Sequence, residues 1–206
     1  MSKKKPLFVF EGIEGTGKTT LIIYISNYLR KKKIPFISIR EPGGNKNSEI
    51  IRKIILNKKN KFNSFTDLML YFAARSENIE KIINKYYGKK IILIDRFTDS
   101  TLAYQHYGMN LDKILIKKVN RMLLKKIVPQ TTFLNIVSEK NLKKRLNLRK
   151  NKNRYDNFKI NFYNKVQKGF IKLSKDKKKY VIINSNHNLD QNKKIILKQM
   201  IKLIKK

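Results

Sequence analysis

The stretch Gly12-Ile13-Glu14-Gly15-Thr16-Gly17-Lys18-Thr19 matches the pattern G-x-x-x-x-G-K-[ST] at every required position. It follows a short apolar segment at residues 7–10 and precedes a segment whose apolar residues recur with a helical period. Glycines at this spacing let backbone N–H groups converge on phosphate oxygens, and the N-terminus of the following helix adds a partial positive charge. The stretch therefore predicts a phosphate-binding loop between a strand and a helix.

The polar side chains of this loop, and one carboxylate elsewhere, have expected roles at a nucleotide. Lys18 would supply a positive charge to the outer phosphates, and the Thr19 hydroxyl could ligate Mg²⁺. Asp95 ends the most apolar segment of the chain, where a carboxylate could hold Mg²⁺ through water; a helix N-cap or a surface ion pair is the alternative. The expected metal ligands are thus Thr19 and Asp95. The expected nucleotide-binding residues of the loop are Gly12, Ile13, Glu14, Gly15, Thr16, Gly17, Lys18, Thr19 and Thr20.

Strand-like and helix-like segments alternate along the chain. Apolar runs predict strands at residues 7–10, 35–40, 89–95, 131–137 and 180–184. The predicted helices span residues 18–33, 47–56, 64–87, 98–107, 111–126, 138–148, 156–175 and 188–206. Strands that alternate with helices through short turns indicate an α/β fold, a five-stranded parallel sheet with helices on both faces. Because no linker or internal repeat divides the chain, we expect a single domain over residues 1–206.

The composition excludes several classes of protein. The 206 residues include no cysteine and only two histidines, which excludes a disulfide scaffold, a thiolate zinc site and a cysteine nucleophile, and argues against a histidine-rich metal site. The apolar segment near the start is too short for a signal peptide. No apolar run approaches the roughly 18 residues that a membrane span needs. We therefore expect a soluble, cytoplasmic protein without a membrane partner.

The charge of the chain is extreme, with 49 Lys+Arg against 14 Asp+Glu and a formal net charge of +35. Such a charge is typical of nucleic-acid-binding proteins, and one hypothesis is a nucleic-acid-binding protein in which the nucleotide fold is secondary. However, the lysines are spread along the whole chain, and aromatic residues are not interleaved with them in a basic ribbon. We therefore favour a solvated basic surface with no dedicated nucleic-acid partner. The acids cluster between Glu11 and Asp99, which predicts a carboxylate-dependent site in the first half of the chain.

Three further stretches narrow the function, because a phosphate-binding loop alone does not separate kinases from other ATPases and GTPases. They are Arg40-Glu41-Pro42-Gly43-Gly44, Leu68-Met69-Leu70-Tyr71-Phe72-Ala73-Ala74-Arg75 and Leu93-Ile94-Asp95-Arg96-Phe97-Thr98-Asp99-Ser100-Thr101-Leu102-Ala103-Tyr104-Gln105. With residues 10–15 they closely resemble the motifs of the thymidylate kinase family, in the same order and spacing, over essentially the whole chain. The resemblance implies a P-loop nucleoside-monophosphate-kinase fold, a homodimer, and the Mg²⁺-dependent reaction ATP + dTMP → ADP + dTDP in dTTP synthesis. A kinase for a different nucleoside monophosphate is the nearby alternative.

The resemblance also assigns roles on the phosphate and sugar side of dTMP. Glu14 would contact the sugar hydroxyl, and Arg40 and Arg96 would bind the acceptor phosphate, for which bidentate arginine is well suited. Tyr104 would pack against the deoxyribose and disfavour a 2′-hydroxyl. For Arg40, the alternative is a plain surface arginine.

Four residues are expected on the base side by the same resemblance. Tyr71 would stack on thymine, where the family commonly has phenylalanine, and Arg75 would contact the base edge. Ser100 and Gln105 would line the base pocket. Tyr71 and Arg75 are four residues apart on a predicted helix, so they share a face. Core packing is the alternative for Tyr71, and an ordinary helix position is the alternative for Gln105.

The transition state needs a mobile cation, which some thymidylate kinases place inside the phosphate loop directly after its acidic residue. That position is Gly15 here, so the chain resembles the class, typical of many bacteria, that carries arginines in a lid. We expect a lid at about residues 145–156, with Arg149 as the transition-state arginine and Arg145 and Arg154 as helpers on the ATP side. The expected catalytic residues are therefore Lys18, Arg96, Arg149 and Glu14. Asn135 stands where relatives often have aspartate.

Overall fold

A computed structural model of the chain describes residues 4–149, 153–175 and 179–204. Its strands are β1 (Leu7–Glu11), β2 (Phe36–Arg40), β3 (Ile91–Asp95), β4 (Thr131–Ile136) and β5 (Tyr180–Asn184). All adjacent strands pair in parallel, in the order β2-β3-β1-β4-β5. The predicted five-stranded parallel sheet is confirmed, and each predicted strand overlaps its counterpart.

The helices also follow the predicted order. They are α1 (Lys18–Lys31), α2 (Lys46–Leu56), α3 (Ser64–Asn78), α4 (Asn84–Tyr86), α5 (Thr98–Thr101), α6 (Lys113–Leu124), α7 (Glu139–Asn147), α8 (Ile160–Lys175) and α9 (Leu189–Ile204). Two π-helical segments, Ile79–Ile83 and Leu102–Gly108, continue α3 and α5, so the long helices predicted there are continuous but change their winding. Within the described ranges, no helix is both long and apolar enough to cross a membrane.

One helix begins later than its sequence pattern indicates. Residues 156–159 were expected in α8, but Arg154–Asn157 form a separate 3₁₀ turn and α8 begins at Ile160. The Asp156 carboxylate accepts a hydrogen bond from the backbone N–H of Asn153 at 2.7 Å, which closes a capping box around the turn. The last two residues of the predicted C-terminal helix, 205–206, lie outside the described residues.

Alternate residues of the central strand β1 belong to cores on opposite faces of the sheet. Phe8 and Phe10 pack in a core that includes residues of α1 and α9, whereas Leu7 and Val9 pack with the π-helical segment that follows α3. This arrangement explains why the strands are continuous apolar runs, since both faces of a covered parallel sheet are buried. Because these strands pair in parallel, the carboxyl ends of β1, β3 and β4 lie at one edge of the sheet, where ligands of such folds bind.

The phosphate loop lies directly against the end of β4. Gly12 has φ 132°, and a Cβ at this position would lie only 2.3 Å from the carbonyl oxygen of Asn135. The buried Asn135 side chain donates a hydrogen bond from Nδ2 to the carbonyl oxygen of Thr16 at 3.1 Å. An ionised aspartate could not donate this bond, so asparagine has a specific structural role at this position.

Alanine at Gly12 should disrupt the loop because the added Cβ would collide with the backbone of β4. We expect Gly12→Ala to lower the free energy of unfolding by about 2 kcal/mol or more and to abolish ATP binding, measured by urea denaturation and by calorimetry. Gly17→Ala is the matched control, because Gly17 also has a positive φ, 79°, but nothing lies within 4 Å of its added Cβ. The control should cost only about 1 kcal/mol. Equal losses in both variants would contradict the steric argument.

Candidate active site

A cavity of about 470 Å³ opens at the carboxyl edge of the sheet, beside the phosphate loop. The predicted site residues that line it are Glu14, Gly15, Thr16, Gly17, Lys18, Thr19, Tyr71, Arg75, Asp95, Arg96, Ser100, Tyr104, Gln105, Arg145 and Arg149. The predicted residues outside its lining are Gly12, Ile13, Thr20, Arg40 and Arg154. The structure therefore brings most of the predicted set together around one space.

The lysine of the phosphate loop is bound to the loop itself. Lys18 Nζ donates hydrogen bonds to the carbonyl oxygens of Gly12 at 2.9 Å and Ile13 at 2.8 Å. Burial, followed by the nearby Arg96 guanidinium, lowers the pKa of Lys18 to about 8. Ile13 contributes its backbone oxygen to Lys18, and its side chain is buried. Thr20, in contrast, is exposed on α1. An anion in the cavity would stabilise the charged form of Lys18.

Two oxygen ligands lie together beside the loop. The Thr19 hydroxyl donates a hydrogen bond to Asp95 Oδ2 at 3.2 Å, while Asp95 Oδ1 is buried without a hydrogen-bond partner in the described part of the chain. An orphaned carboxylate oxygen next to a hydroxyl fits a Mg²⁺ ion that keeps several waters. No group of three or more His, Cys, Asp or Glu side chains in the described ranges could hold a metal by itself. A Mg²⁺ ion here would therefore depend on phosphate and water as its other ligands.

Arg96 is held at the point where β3 ends. Its backbone has φ 67°, in the left-handed region, and its N–H donates to the carbonyl oxygen of Phe10 at 2.9 Å. The guanidinium forms an ion pair with Glu14, Nη2 to Oε1 at 2.9 Å, and lies over the Tyr104 ring at 5.2 Å from its centroid. The Tyr104 hydroxyl donates to the other oxygen of Glu14. Glu14 thus orients both a cation and an aromatic ring at the cavity wall.

Glu11, which ends β1, is a fully buried acid that the sequence analysis did not assign to the site. Its Oε1 accepts the N–H groups of Phe97 at 2.8 Å and Ser100 at 3.1 Å, and its Oε2 accepts the Ser100 hydroxyl at 2.5 Å. Burial, followed by the charge of Asp99, raises the pKa of Glu11 to about 7. A carboxylate at the end of an otherwise apolar strand was the sequence signal for this role.

Aromatic and amide side chains form a further part of the cavity lining. The Tyr71 ring packs edge-on against Tyr155, with ring centroids 6.1 Å apart. Gln105 is buried, and its Nε2 has no hydrogen-bond partner in the part of the chain that the structure describes. Tyr155 was not predicted and reaches the cavity from the 3₁₀ turn. An unpartnered amide donor beside aromatic rings suits a flat, polar-edged ligand such as a nucleobase.

Arg75 lies in the cavity wall and is also part of a buried network. Its Nε donates to Glu41 Oε2 at 2.7 Å, its Nη1 to Asn120 Oδ1 at 2.7 Å, and its Nη2 to the carbonyl oxygen of Phe97 at 3.0 Å. Burial raises the pKa of Glu41, against the effect of Arg75. The network fixes the orientation of Arg75, and its predicted contact with the base edge stays a prediction.

Two arginines near the Pro42 turn face different spaces. Arg40 is exposed, pairs with Glu49 at 3.1 Å and lines a separate groove. Arg52 of α2 lines the main cavity instead, with its Nη1 donating to the carbonyl oxygen of Pro42 at 2.6 Å. Burial, followed by the charge of Arg40, lowers the pKa of Arg52. Arg52 is therefore an incompletely neutralised cation in the cavity, which the sequence analysis missed.

Comparisons with known proteins show the family to which the chain is similar. The family model for thymidylate kinase matches residues 10–196. A thymidylate kinase from Mycoplasma capricolum is 36% identical over 200 residues, covering 95% of this chain and 92% of that protein. A thymidylate kinase from Thermoanaerobacter sp. (strain X514) is also 36% identical over 200 residues, covering 96% of each. The crystal structure of thymidylate kinase from Ehrlichia chaffeensis matches with a TM-score of 0.78 at 28% identity, covering 96% of this chain and 98% of that one.

This chain belongs to the thymidylate kinase family. Its fold is accordingly that of the P-loop nucleoside monophosphate kinases, as the resemblance of the four motifs implied. The relevant site for a kinase of this family is the cavity between the phosphate loop and the end of β3, because Lys18 of the loop and Arg96, Tyr71 and Gln105 of the acceptor-side motifs all line it.

The three candidate lid arginines of this kinase have different surroundings. Arg145 Nη1 donates to the carbonyl oxygen of Gly15 at 2.8 Å, and Arg149 pairs with Asp156 while lining the cavity. Arg154 instead forms two 2.6 Å hydrogen bonds with the buried Asp67, outside the cavity lining. Residues 150–152 of the predicted lid lie outside the described residues.

Proposed function

We propose that this member of the thymidylate kinase family transfers the terminal phosphoryl group of ATP to dTMP, giving ADP and dTDP for dTTP synthesis. The observation that carries the proposal is that the phosphate loop and the guanidinium of Arg96 line one cavity together with Tyr71 and Gln105. Two anionic nucleotides can lie end to end in such a space, with backbone amides at one end and guanidinium groups at the other. Phosphoryl transfer depends mainly on this kind of positioning and charge stabilisation.

On the donor side, the loop amides and Lys18 would bind the phosphates of ATP. Lys18 would exchange its bonds to loop carbonyls for bonds to phosphate oxygens. Thr19 and Asp95 would hold Mg²⁺, which when bound neutralises developing charge on the phosphates. The support for this assignment is the buried, unpartnered Oδ1 of Asp95 next to the Thr19 hydroxyl.

On the acceptor side, Arg96 and Arg52 would bind the phosphate of dTMP. Both line the cavity, and Arg96 is held there by Glu14 and by its own left-handed backbone. Glu14 would also accept the sugar hydroxyl, and Tyr104 would pack on the deoxyribose. Arg52 takes the place in this proposal that the sequence analysis gave to Arg40, because the Arg40 side chain is turned to the neighbouring groove.

At the reacting phosphoryl group, Arg149 would supply the transition-state charge. It lines the cavity and pairs through its Nη1 with Asp156, an interaction it could exchange for a phosphate oxygen. Arg145, beside Gly15, would assist on the ATP side. Arg154 is bound to Asp67 and would stabilise the 3₁₀ turn in which it lies.

The substrate assignment is tested by a coupled ADP-release assay across dTMP, dUMP, UMP, CMP, GMP and AMP. We expect turnover to be greatest with dTMP, and to disappear when EDTA replaces Mg²⁺. Activity confined to another monophosphate would contradict the substrate. Tight DNA or RNA binding that persists at physiological salt, without turnover, would instead favour the nucleic-acid hypothesis raised by the +35 charge.

Arg52→Ala and Arg40→Ala form a matched pair that tests which arginine binds the acceptor phosphate. We expect Arg52→Ala to raise the KM for dTMP about 10- to 100-fold, the range for a lost hydrogen bond to a charged group. Arg40→Ala should change it less than about threefold, because its partner is the exposed Glu49. The KM for ATP should stay constant in both. The reverse ranking would return the role to Arg40.

Arg149→Ala and Arg154→Ala separate a catalytic arginine from a structural one. We expect Arg149→Ala to lower kcat about 10³-fold or more, with little change in thermal stability. Arg154→Ala removes the cationic partner of the buried Asp67 carboxylate and leaves it the Tyr155 hydroxyl at 3.4 Å, so it should lower the free energy of unfolding by about 3 kcal/mol and kcat only a few-fold. Single-turnover kinetics and urea denaturation give the two quantities. A larger kcat loss in Arg154→Ala would reverse the assignment.

We further propose that the kinase acts in the cytoplasm, where its substrates are found.

We also propose that it is a homodimer. The adjacent helices α2 and α3 each expose a pair of large apolar side chains four residues apart: Ile50 and Ile54, and Phe65 and Met69. Such a face supports an interface between two copies. Static light scattering measures the oligomeric state directly.

A further inference from the structure

Ser100 lies between a buried carboxylate and the nucleotide cavity. Its Oγ is 2.5 Å from Glu11 Oε2 on the protein side and 3.3 Å from Arg96 Nη1, and the residue also lines the cavity. The Glu11 carboxylate cannot turn away, because its Oε1 is fixed by the N–H groups of Phe97 and Ser100. The surroundings of the Ser100 hydroxyl are therefore fixed on two sides.

These surroundings determine which way the hydroxyl hydrogen points. A serine hydroxyl has one hydrogen to donate and two lone pairs to accept with. An ionised Glu11 can only accept and Arg96 can only donate, so the hydrogen goes to Glu11 and one lone pair goes to Arg96. The second lone pair of Ser100 is left for the cavity. Once Glu11 is ionised, above its pKa of about 7, Ser100 thus presents an acceptor, and no donor, to a ligand.

We infer that Glu11 is a positioning residue for base selection. It makes Ser100 a hydrogen-bond acceptor toward the base, and this favours a pyrimidine that carries N–H at ring position 3. The inference rests on the proposed function and on the expectation, from the family resemblance, that Ser100 lines the base pocket; Ser100 does line the cavity. Thymine and uracil carry a hydrogen on N3, whereas cytosine has a lone pair there. Two facing lone pairs leave buried acceptors unpaired, and unpaired polar groups in a closed site are a strong source of discrimination.

Glu11→Gln tests this polarity with almost no change in shape. The glutamine oxygen can still accept the N–H groups of Phe97 and Ser100, but its Nε2 would donate to Ser100 Oγ. The Ser100 hydrogen would then point into the cavity. We expect the ratio of kcat/KM for dTMP to that for dCMP to fall about 10-fold or more, mainly through a higher KM for dTMP. The assays are run at pH 8.5, above the value near 7 to which burial raises the pKa of Glu11.

Ser100→Ala provides the second arm and completes a double-mutant cycle. It should also lower the dTMP-to-dCMP ratio, and adding Glu11→Gln to it should cause no further change in that ratio, because the group through which Glu11 acts is gone. A merely structural role for Glu11 would lower kcat/KM for both nucleotides by the same factor and leave the ratio unchanged, which overturns the inference. A ratio that Glu11→Gln still changes in the Ser100→Ala background overturns it as well.

The two variants also give a decisive result if Glu11→Gln does not fold, and they separate a failure of the inference from a failure of the proposed function. If Glu11→Gln does not fold, an unchanged ratio in Ser100→Ala alone overturns the inference, and a lowered ratio supports it. If the wild-type chain does not phosphorylate dTMP, the proposed function fails. If it does so with a ratio insensitive to both substitutions, only the inference about Glu11 fails.

Discussion

Lys18 and Arg96 lie in the same partly buried cavity, so two cations are held close together before any anion is bound. The surrounding structure offsets their repulsion. Backbone carbonyls of the phosphate loop accept the lysine hydrogens, and Glu14 pairs with the arginine. Phosphate oxygens can replace these partners without moving either cation far. The cavity is therefore organised for anions in advance, which is the main way a protein can assist phosphoryl transfer.

The need to offset repulsion between cations also explains where the scarce acids of this basic chain are placed. Each of five arginines at or near the cavity is paired with a carboxylate: Arg40 with Glu49, Arg75 with Glu41, Arg96 with Glu14, Arg149 with Asp156, and Arg154 with Asp67. With only 14 acids against 49 basic residues, this use leaves few acids for the outer surface. The net charge of +35 is thus mostly a property of the lysines, whereas most of the arginines around the cavity have a carboxylate partner.

Local patterns were sufficient for the fold and for the phosphate loop, because strands, helices and a glycine-rich turn are properties of short segments. Long-range partners were not predictable in the same way. Arg40 follows a strand and Arg52 lies on a helix, and which of them faces the cavity depends on how α2 packs against its neighbours. Arg154 was expected at ATP, but its partner Asp67 is 87 residues away in sequence and no local pattern joins them. Asp156 looked like the first residue of a helix and instead caps a 3₁₀ turn.

In the proposed function, the base has to be selected by other means than charge, since Arg75, the charged group expected at its edge, already has protein partners. All three guanidinium nitrogens of Arg75 are bound to protein partners, one of which is Glu41. Ser100 is bound to Glu11 in a similar way. Both carboxylates are buried at the carboxyl edge of the sheet, Glu11 at the end of β1 and Glu41 directly after β2. Because a buried carboxylate can only be satisfied by donors, each fixes the direction of the group it accepts from. Under the proposed function and the inference about Glu11, selectivity for a base follows from the direction of neutral hydrogen bonds, and Lys18, Arg52 and Arg96 remain available for the phosphates.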